Sequence, residues 1–454
     1  MSALDSFVQD RPSEGFLSLH SGAFVDPQLF ELEIRHIFER TWSFLALESQ
    51  VAAPHDFVTT WIGRTPVLVT RDAEGRVRAF LNVCRHKGAQ LCRSESGNRR
   101  AHACVYHAWA YDSAGRNVGI KQREAGRYPA AFDALGHDLL PLARLESYRG
   151  MVFGSLHPDV PALHEYLGEF AAWLDLTLDQ GPQGMEFVPG RSAYTFGGNW
   201  KLQLDNGMDT YHLTTTHVTY MNVLTRRHTQ KAAGNQAAKQ FDWRRRLSQD
   251  GGFFGFEHGH AGYWLNQAQP ENRAIYPQIG EVAARIGESK AAWVLRPRQA
   301  LCFPNMQIAD SSATLLRTFR PLAPDLTEMR VYCLVPIGEP AAARTLRIRQ
   351  FEDFFSASGF ATPDDTVTYE ECQRGLSARP GQWQQGYFRG AAAVSDGPNA
   401  EAEEVGMRPA HSLTGPFDIQ SEAVHHPAIR EWARLLKAGL ENVSPYSTTA
   451  ERQP

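Results

Sequence analysis

The chain has 454 residues, of which 43% are apolar and 21% charged, and its formal net charge is −4. That length holds one large or two medium domains with cores of their own. The charge balance lacks the basic excess of a nucleic-acid binder, and no apolar run approaches the roughly 18–20 residues that span a bilayer.

The N-terminus, MSALDSFVQDRPSEGF, has neither the basic nor the apolar region of a signal peptide, so the expected location is the cytoplasm. In that reducing compartment six scattered cysteines are not a disulfide framework. Residues 28–40 (QLFELEIRHIFER) carry apolar residues at helical spacing and predict an amphipathic helix. From 42 to 160 the texture turns to short β-like runs such as PVLVTRDAEGRVRAFLNV, ACVYHAWAYDSAGR and YRGMVFGSL, with AEG and SAG as hairpin turns. Residues 161–180 return to helical periodicity. Beyond 185 strands and helices mix: SAYTFGGNWKLQLDN, a His-bearing segment, then strand-like ATLLRTFRPL and MRVYCLVPIG. Residues 341–356 and 425–440 read as helices and 374–412 as irregular. The fold class is α+β, with an all-β domain over 42–160 inserted into a larger domain built from 1–41 and 161–454.

Two clusters of metal-binding side chains stand out. In 84–107, CRHKGAQLCRSESGNRRAHACVYH, the pattern is Cys-x-His, 17 residues, then Cys-x-x-His. Thiolate sulfur and neutral imidazole suit iron or zinc in a compact site. Two His replacing two Cys on one iron is what defines a Rieske [2Fe–2S] cluster, and Cys84, His86, Cys104 and His107 supply that set. Structural zinc is the competing reading, although each loop here offers one Cys and one His rather than a pair of either. Cys92 and His102 lie inside the insertion and could be mistaken for ligands. Cys302, Cys333 and Cys372 are expected to be buried thiols.

The second cluster lies in NWKLQLDNGMDTYHLTTTH, residues 199–217. On a regular helix Asp205, Asp209 and His212 would share a face, while His217 would sit roughly 140° away. If both imidazoles bind one metal, the helix must be distorted between them. Two His and a carboxylate make the facial triad of Fe(II) oxygenases. Candidate carboxylates are Asp205, Asp209 and the stretch 356–373, SASGFATPDDTVTYEECQ.

Together these residues resemble the α subunit of Rieske non-haem iron aromatic-ring-hydroxylating oxygenases, from about residue 20 to 440. Within that family LCRSESGN, LESYRGMVFGSLHPDV, GGFFGFEHGHAGYWLN and SGFATPDDTVTYEECQ are similar to the benzoate/anthranilate (halobenzoate) 1,2-dioxygenase group. The resemblance implies an all-β Rieske domain inserted into a catalytic domain with an antiparallel sheet flanked by helices, of helix-grip type. It implies that Cys84 and Cys104 hold one cluster iron, that His86 and His107 hold the other, and that His212, His217 and Asp365 bind a mononuclear Fe(II). Asp209 would be the bridging carboxylate, hydrogen-bonded to His212 and to His107 of a neighbouring subunit, on the electron route from His107 to the iron, and Asn206 would sit near the iron. Met208, Leu213, Val218, Asn222, Leu224 and Phe360 are the substrate-pocket candidates, with ordinary core packing as the alternative for each. Arg317 or Arg320 is a candidate to pair with a substrate carboxylate, with a surface or interface position as the alternative.

O2 and NADH-derived electrons would be consumed, the latter arriving through a reductase with or without a ferredoxin. The assembly would be α3β3 with a small β subunit, or an α3 homotrimer. The implied reaction is cis-dihydroxylation of an aromatic acid such as benzoate, anthranilate, halobenzoate or salicylate. Alternatives are a monooxygenase or demethylase, an aryl sulfonate or aryloxy acid oxygenase, a Rieske electron carrier without chemistry of its own, and a zinc-stabilised binding protein. The sequence departs from the family pattern at Lys87, where Arg is frequent, at Ala108, where Gly is usual, at Asp205, where Glu is usual, and in LTTTHVTYMNVL after Tyr211–His212.

Overall fold

A computed structural model describes residues 3–229, 250–266, 269–311, 313–378, 381–416 and 419–446. The chain divides into two compact units, Phe38–Leu163 and a second made of Met1–Ile37 with His164–Pro454.

The unit Phe38–Leu163 is built from three antiparallel sheets. One joins Val77–Leu81, Thr65–Arg71, Asp56–Ile62 and Ser96–Asn98; a second joins Asn117–Gly119, Ala110–Asp112 and Ala101–Ala103; a third joins Arg144–Tyr148, Met151–Ser155 and Ser43–Leu47. Both turns expected at AEG and SAG are hairpins of one design. Asp72 Oδ1 accepts from the backbone N–H of Glu74 and Arg76, and Asp112 Oδ1 from that of Ala114 and Arg116. Gly75 (φ +81°) and Gly115 (φ +80°) supply the left-handed residue that each turn needs.

In the larger unit the expected helix at 28–40 begins at Pro27, capped by Asp26, whose Oδ1 accepts from Gln28 N (2.8 Å) and Leu29 N (2.9 Å). It runs as an α-helix to Glu33 and widens to a π-helical turn over Ile34–Phe38. Residues 161–180 form two helices, Leu163–Leu167 and Phe170–Leu178, separated at Gly168 (φ +46°). The centre is a ten-stranded antiparallel sheet. Its main path runs Met185–Phe187, Leu326–Pro336, Thr314–Ala323, Met306–Asp310, Arg298–Cys302, Ala261–Leu265, Asp250–Gly255, His411–Pro416 and Ser395–Asp396, and Ser192–Phe196 adds to Leu326–Pro336. The helices Ala341–Phe354 and Thr362–Leu376 follow the longest hairpin. Leu315, Val331, Cys333, Phe351, Phe354, Phe355 and Ala361 make an apolar cluster between sheet and helices.

One expectation about thiols fails. Cys302 and Cys333 are buried, but Cys372 is exposed. The buried stripe of its helix runs through Asp365, Tyr369, Gln373 and Leu376, and position 372 falls just outside it. Among the described residues no helix is long and apolar enough to cross a membrane.

Candidate functional site

The four donors of the smaller unit sit on two loops of matching backbone shape. Gly88 N donates to Cys84 O (3.0 Å) and Cys84 N to Ala89 O (2.8 Å); Ala108 N donates to Cys104 O (2.9 Å) and Cys104 N to Trp109 O (2.8 Å). The tight turn places Gly88 at φ +72° and its counterpart Ala108 at φ +57°. An alanine there carries a steric cost that glycine escapes. Cys84 and Cys104 are buried in one apolar cluster with Trp109 and Tyr111, and the Tyr111 hydroxyl lies 3.5 Å from Cys84 Sγ. The imidazoles of His86 and His107 stand together, ring centroids 4.4 Å apart, and Trp109 stacks on His86 at 4.9 Å.

His86 Nδ1 is buried with no hydrogen-bond partner. Burial, with help from the charges of His107 and Lys87, holds the pKa of His86 below its ordinary value. A neutral imidazole with an orphaned nitrogen beside two buried free thiols suits a two-Cys, two-His iron–sulfur cluster. His102 differs: it packs edge-on against Phe57 at 4.8 Å, and burial followed by Arg99 pushes its pKa down to about 4. Cys92 is tied by its backbone to the Asn82 side chain.

In the larger unit the Asn-Trp-Lys start of the second cluster is an anchor. Asn199 caps the helix Trp200–Asn206 and donates to Phe24 O (3.1 Å) and Pro324 O (2.8 Å). Glu33, buried, accepts from Lys201 Nζ (2.5 Å), Trp432 Nε1 (2.7 Å) and Trp200 Nε1 (2.8 Å). The helix ends at Asn206, and the next residue, Gly207, lies against Gln307, where an added Cβ would come within 2.1 Å of the Gln307 side-chain oxygen. A short helix, Leu213–Thr216, follows, and His217 (φ −97°, ψ 24°) breaks it before Val218–Thr229 begins. That break is the distortion the five-residue spacing demands. Asp209 therefore lies off any helix, not on a continuous face with Asp205 and His212.

The break turns both imidazoles toward Asp365 in the first turn of Thr362–Leu376. His217 Nε2 is 3.3 Å and His212 Nε2 3.7 Å from Asp365 Oδ1, and the three ligand atoms lie within 4.8 Å of one another. His217 is 1% exposed and Asp365 7%. Asp209 Oδ2 lies 3.0 Å from His212 Nδ1, and Asp209 Oδ1 accepts from Tyr211 N. Asn206 Nδ2 donates to Asp365 Oδ1 at 3.2 Å. Burial opposes charge on both members of the Asp209–His212 pair. Burial is the largest single influence, but their mutual hydrogen bond and the neighbouring charges, His425 for Asp209 and Asp365 for His212, together outweigh it, so the pKa of Asp209 is lowered and that of His212 raised. His217 Nδ1 is buried without a hydrogen-bond partner, and Asp364 Oδ2 is 3.6 Å away. Two imidazoles and one carboxylate, convergent and buried, fit a divalent iron with open positions.

The remaining candidates scatter. Asp205 accepts from the Tyr387 hydroxyl at 2.9 Å and faces His425 at 3.9 Å, and burial raises its pKa. Leu213 packs on the apolar cluster with Phe355. Met208 lines a different pocket, with Thr210, Phe253, Tyr263, Trp264 and Leu413. Val218 is 48% exposed, Asn222 is exposed, and Phe360 is 38% exposed, resting on Tyr220. The side chain of Leu224 lies outside the described residues. Asp364 lies in the 356–373 stretch singled out for its carboxylates and Arg317 is a candidate from the sequence, whereas Gln307 comes from a strand whose alternation gives no warning.

Comparison with known proteins agrees with this geometry. The family described as ring hydroxylating alpha subunit (catalytic domain) matches residues 187–413, and the Rieske [2Fe-2S] domain matches 41–143. The toluate 1,2-dioxygenase subunit alpha of Pseudomonas putida is 40% identical, with 89% of this chain and 88% of the relative covered. The 2-halobenzoate 1,2-dioxygenase large subunit of Burkholderia cepacia is 36% identical over 96% and 93% of the two chains. The crystal structure of naphthalene 1,2-dioxygenase from Rhodococcus sp. bound to indole superposes with a TM-score of 0.76 at 26% identity, covering 93% of this chain and 94% of the other. This chain belongs to the ring-hydroxylating dioxygenase α subunits, with a Rieske [2Fe–2S] cluster and a mononuclear iron as its cofactors.

Proposed function

We propose that this chain is the terminal oxygenase that cis-dihydroxylates the ring of a benzoate-like acid, such as benzoate, anthranilate, a halobenzoate or salicylate. The observation that carries the reading is the buried convergence of His212, His217 and Asp365 in the same chain as the Cys84–His86 and Cys104–His107 loops. The toluate and 2-halobenzoate relatives support the substrate class.

In this reading Cys84, His86, Cys104 and His107 hold the cluster, and His212, His217 and Asp365 hold the iron. The cluster supplies single electrons, and the iron supplies the activation of O2. The protein side of the chemistry is orientation. Asp209 takes the Nδ1 proton of His212 in a hydrogen bond, which leaves the Nε2 lone pair for the metal. Asn206 steadies Asp365 through its Oδ1. The rings of Phe354 and Tyr220 back His217 and exclude water from that side. Asp209 is the bridging carboxylate between neighbouring chains, with His107 as its counterpart. Electrons come from NADH through a reductase, with or without a ferredoxin, and the assembly is α3β3 or α3. The six free thiols suit the reducing cytoplasm.

The test is a panel of aromatic acids with NADH and a surrogate reductase, scored by hydroxylated product, since uncoupled turnover also consumes NADH. Diol from at least one benzoate-like acid is expected. If no aromatic acid yields product while the cluster is being reduced, the reading fails.

A further inference from the structure

Among its described residues the larger unit has four arginines that are almost fully buried: Arg273, Arg298, Arg317 and Arg347. Three have an acid. Arg273 and Arg298 share Asp310, and Arg347 pairs with Glu339 at 2.8 Å. Arg317, 6% exposed, is different. Its Nε donates to Gln307 Oε1 at 2.9 Å, and among the described residues no carboxylate oxygen comes within the 4.0 Å of an ion pair. A buried cation without an anion is costly, and proteins seldom carry one without use.

Its surroundings say what the anion is. Arg317 follows Leu315 by two residues on the strand Thr314–Ala323, so both face the apolar cluster on which Leu213, next to His212, also packs. The guanidinium lies 5.9 Å from the Phe355 ring centroid. Gln307, which holds it, also donates to Leu204 O (3.0 Å) and Gln203 O (3.2 Å) and packs under Gly207, beside Asn206 and hence Asp365. This chain of contacts leads from Arg317 to Asp365, an acid that the proposed iron site claims. Arg320, the other candidate, points to the opposite face and has Glu328 at 3.5 Å.

We propose that Arg317 is the specificity-determining residue that receives the carboxylate of the aromatic substrate, with Gln307 as its positioning residue. An anion at one end and an aromatic body against Phe355 is the chemistry that this cation in an apolar wall would recognise. The inference rests on the aromatic-acid reading above and narrows it: substrates with an acid on the ring are selected over neutral rings of the same size.

The test uses the holoenzyme. Benzoate and toluene, its neutral methyl counterpart, are compared for binding by calorimetry under anaerobic conditions, and separately for product formation with reductase, NADH and O2, in the parent, R317K and R317M. The parent should favour benzoate. R317M should lose benzoate affinity on the order of 30-fold or more relative to toluene, with R317K between. Near-parental melting and cluster absorbance show that R317M is folded. A parent that binds toluene as tightly as benzoate overturns the assignment without any variant, and so does an R317M that keeps the parental benzoate preference. If the parent hydroxylates benzoate and R317M keeps the parental KM for it, only Arg317 is wrong. If the parent hydroxylates neither compound nor any other aromatic acid, the functional reading itself has failed.

Discussion

Replacing Asp209 with Asn probes the link between the two metal sites with the least disturbance of shape. Asp209 Oδ2 lies 3.0 Å from His212 Nδ1, and its other oxygen holds Tyr211 N. Asparagine keeps an acceptor oxygen and loses the charge. A hydrogen bond to a charged group contributes about 1.5–3 kcal/mol and a neutral one about 0.5–1.5 kcal/mol, so the exchange costs about 1–1.5 kcal/mol. That corresponds to an Fe(II) affinity about 5–12-fold weaker at the His212 site, near the lower end of what the partner of a metal-bound imidazole contributes. Asp209→Ala, which also strips Tyr211 N of its acceptor, should lose more. The assay is competition with a graded chelator, reading iron bound beyond the cluster, with cluster absorbance as the internal control. Coupled product formation should fall further than iron occupancy if, as proposed, the same carboxylate bridges neighbouring chains. An Asp209→Asn protein with parental iron affinity and parental turnover would refute this reasoning.

The two adjacent acids of the helix start should separate cleanly. Asp365→Ala should abolish mononuclear iron binding, whereas Asp364→Ala, whose carboxylate is 36% exposed and 3.6 Å from His217 Nδ1, should weaken it about tenfold at most, as read by metal analysis after dialysis. His260 governs an acid limb of stability. Burial pushes its pKa down to about 3, its Nδ1 accepts from Phe303 N, and its Nε2 faces Tyr166 O. Its folded pKa is depressed, so the unfolded chain binds the extra proton. Stability is therefore complete above about pH 6.5 and declines by about 1.4 kcal/mol per unit as pH falls toward 3. His260→Gln should flatten that slope in urea titrations between pH 6.5 and 4.5; an unchanged slope would show that another group carries it. Lys201→Met should destabilise the larger unit by about 3–5 kcal/mol, because Glu33 stays buried and charged. Adding Glu33→Gln should recover part of that loss in thermal melts, and no recovery would mean that the packing of Lys201, not its charge, is what matters.

The two metal-binding clusters were legible because most of their ligands are close in sequence and of unusual type. The break at His217 was legible from angle alone, since two imidazoles five residues apart cannot share a helix face. The turns after Asp72 and Asp112 were legible from the AEG and SAG tripeptides, and the structure adds the Asp side chains that accept from the turn backbone. Less could be read where the partner arrives from afar. Strand alternation says that Arg317 faces one side, but not that Gln307 and Phe355 receive it there. Helical periodicity leaves Val218 and Asn222 open to either side, and the structure turns both outward. Met208, close to His212 in sequence, lies beyond the helix end and lines a pocket with Phe253 and Trp264, residues from distant strands. The surroundings of Asp205, with Tyr387 and His425, come from segments read as irregular loop and plain helix.

The central claim is that His212, His217 and Asp365 hold a catalytic iron separate from the Rieske cluster. Iron analysis combined with the EPR spectrum of the reduced protein, for the parent and for His217→Ala, tests it most directly. The parent should bind about three iron atoms per chain and show a Rieske signal, and the variant should lose about one while keeping that signal. A variant that retains all its iron, or that loses the cluster signal along with it, would contradict the account.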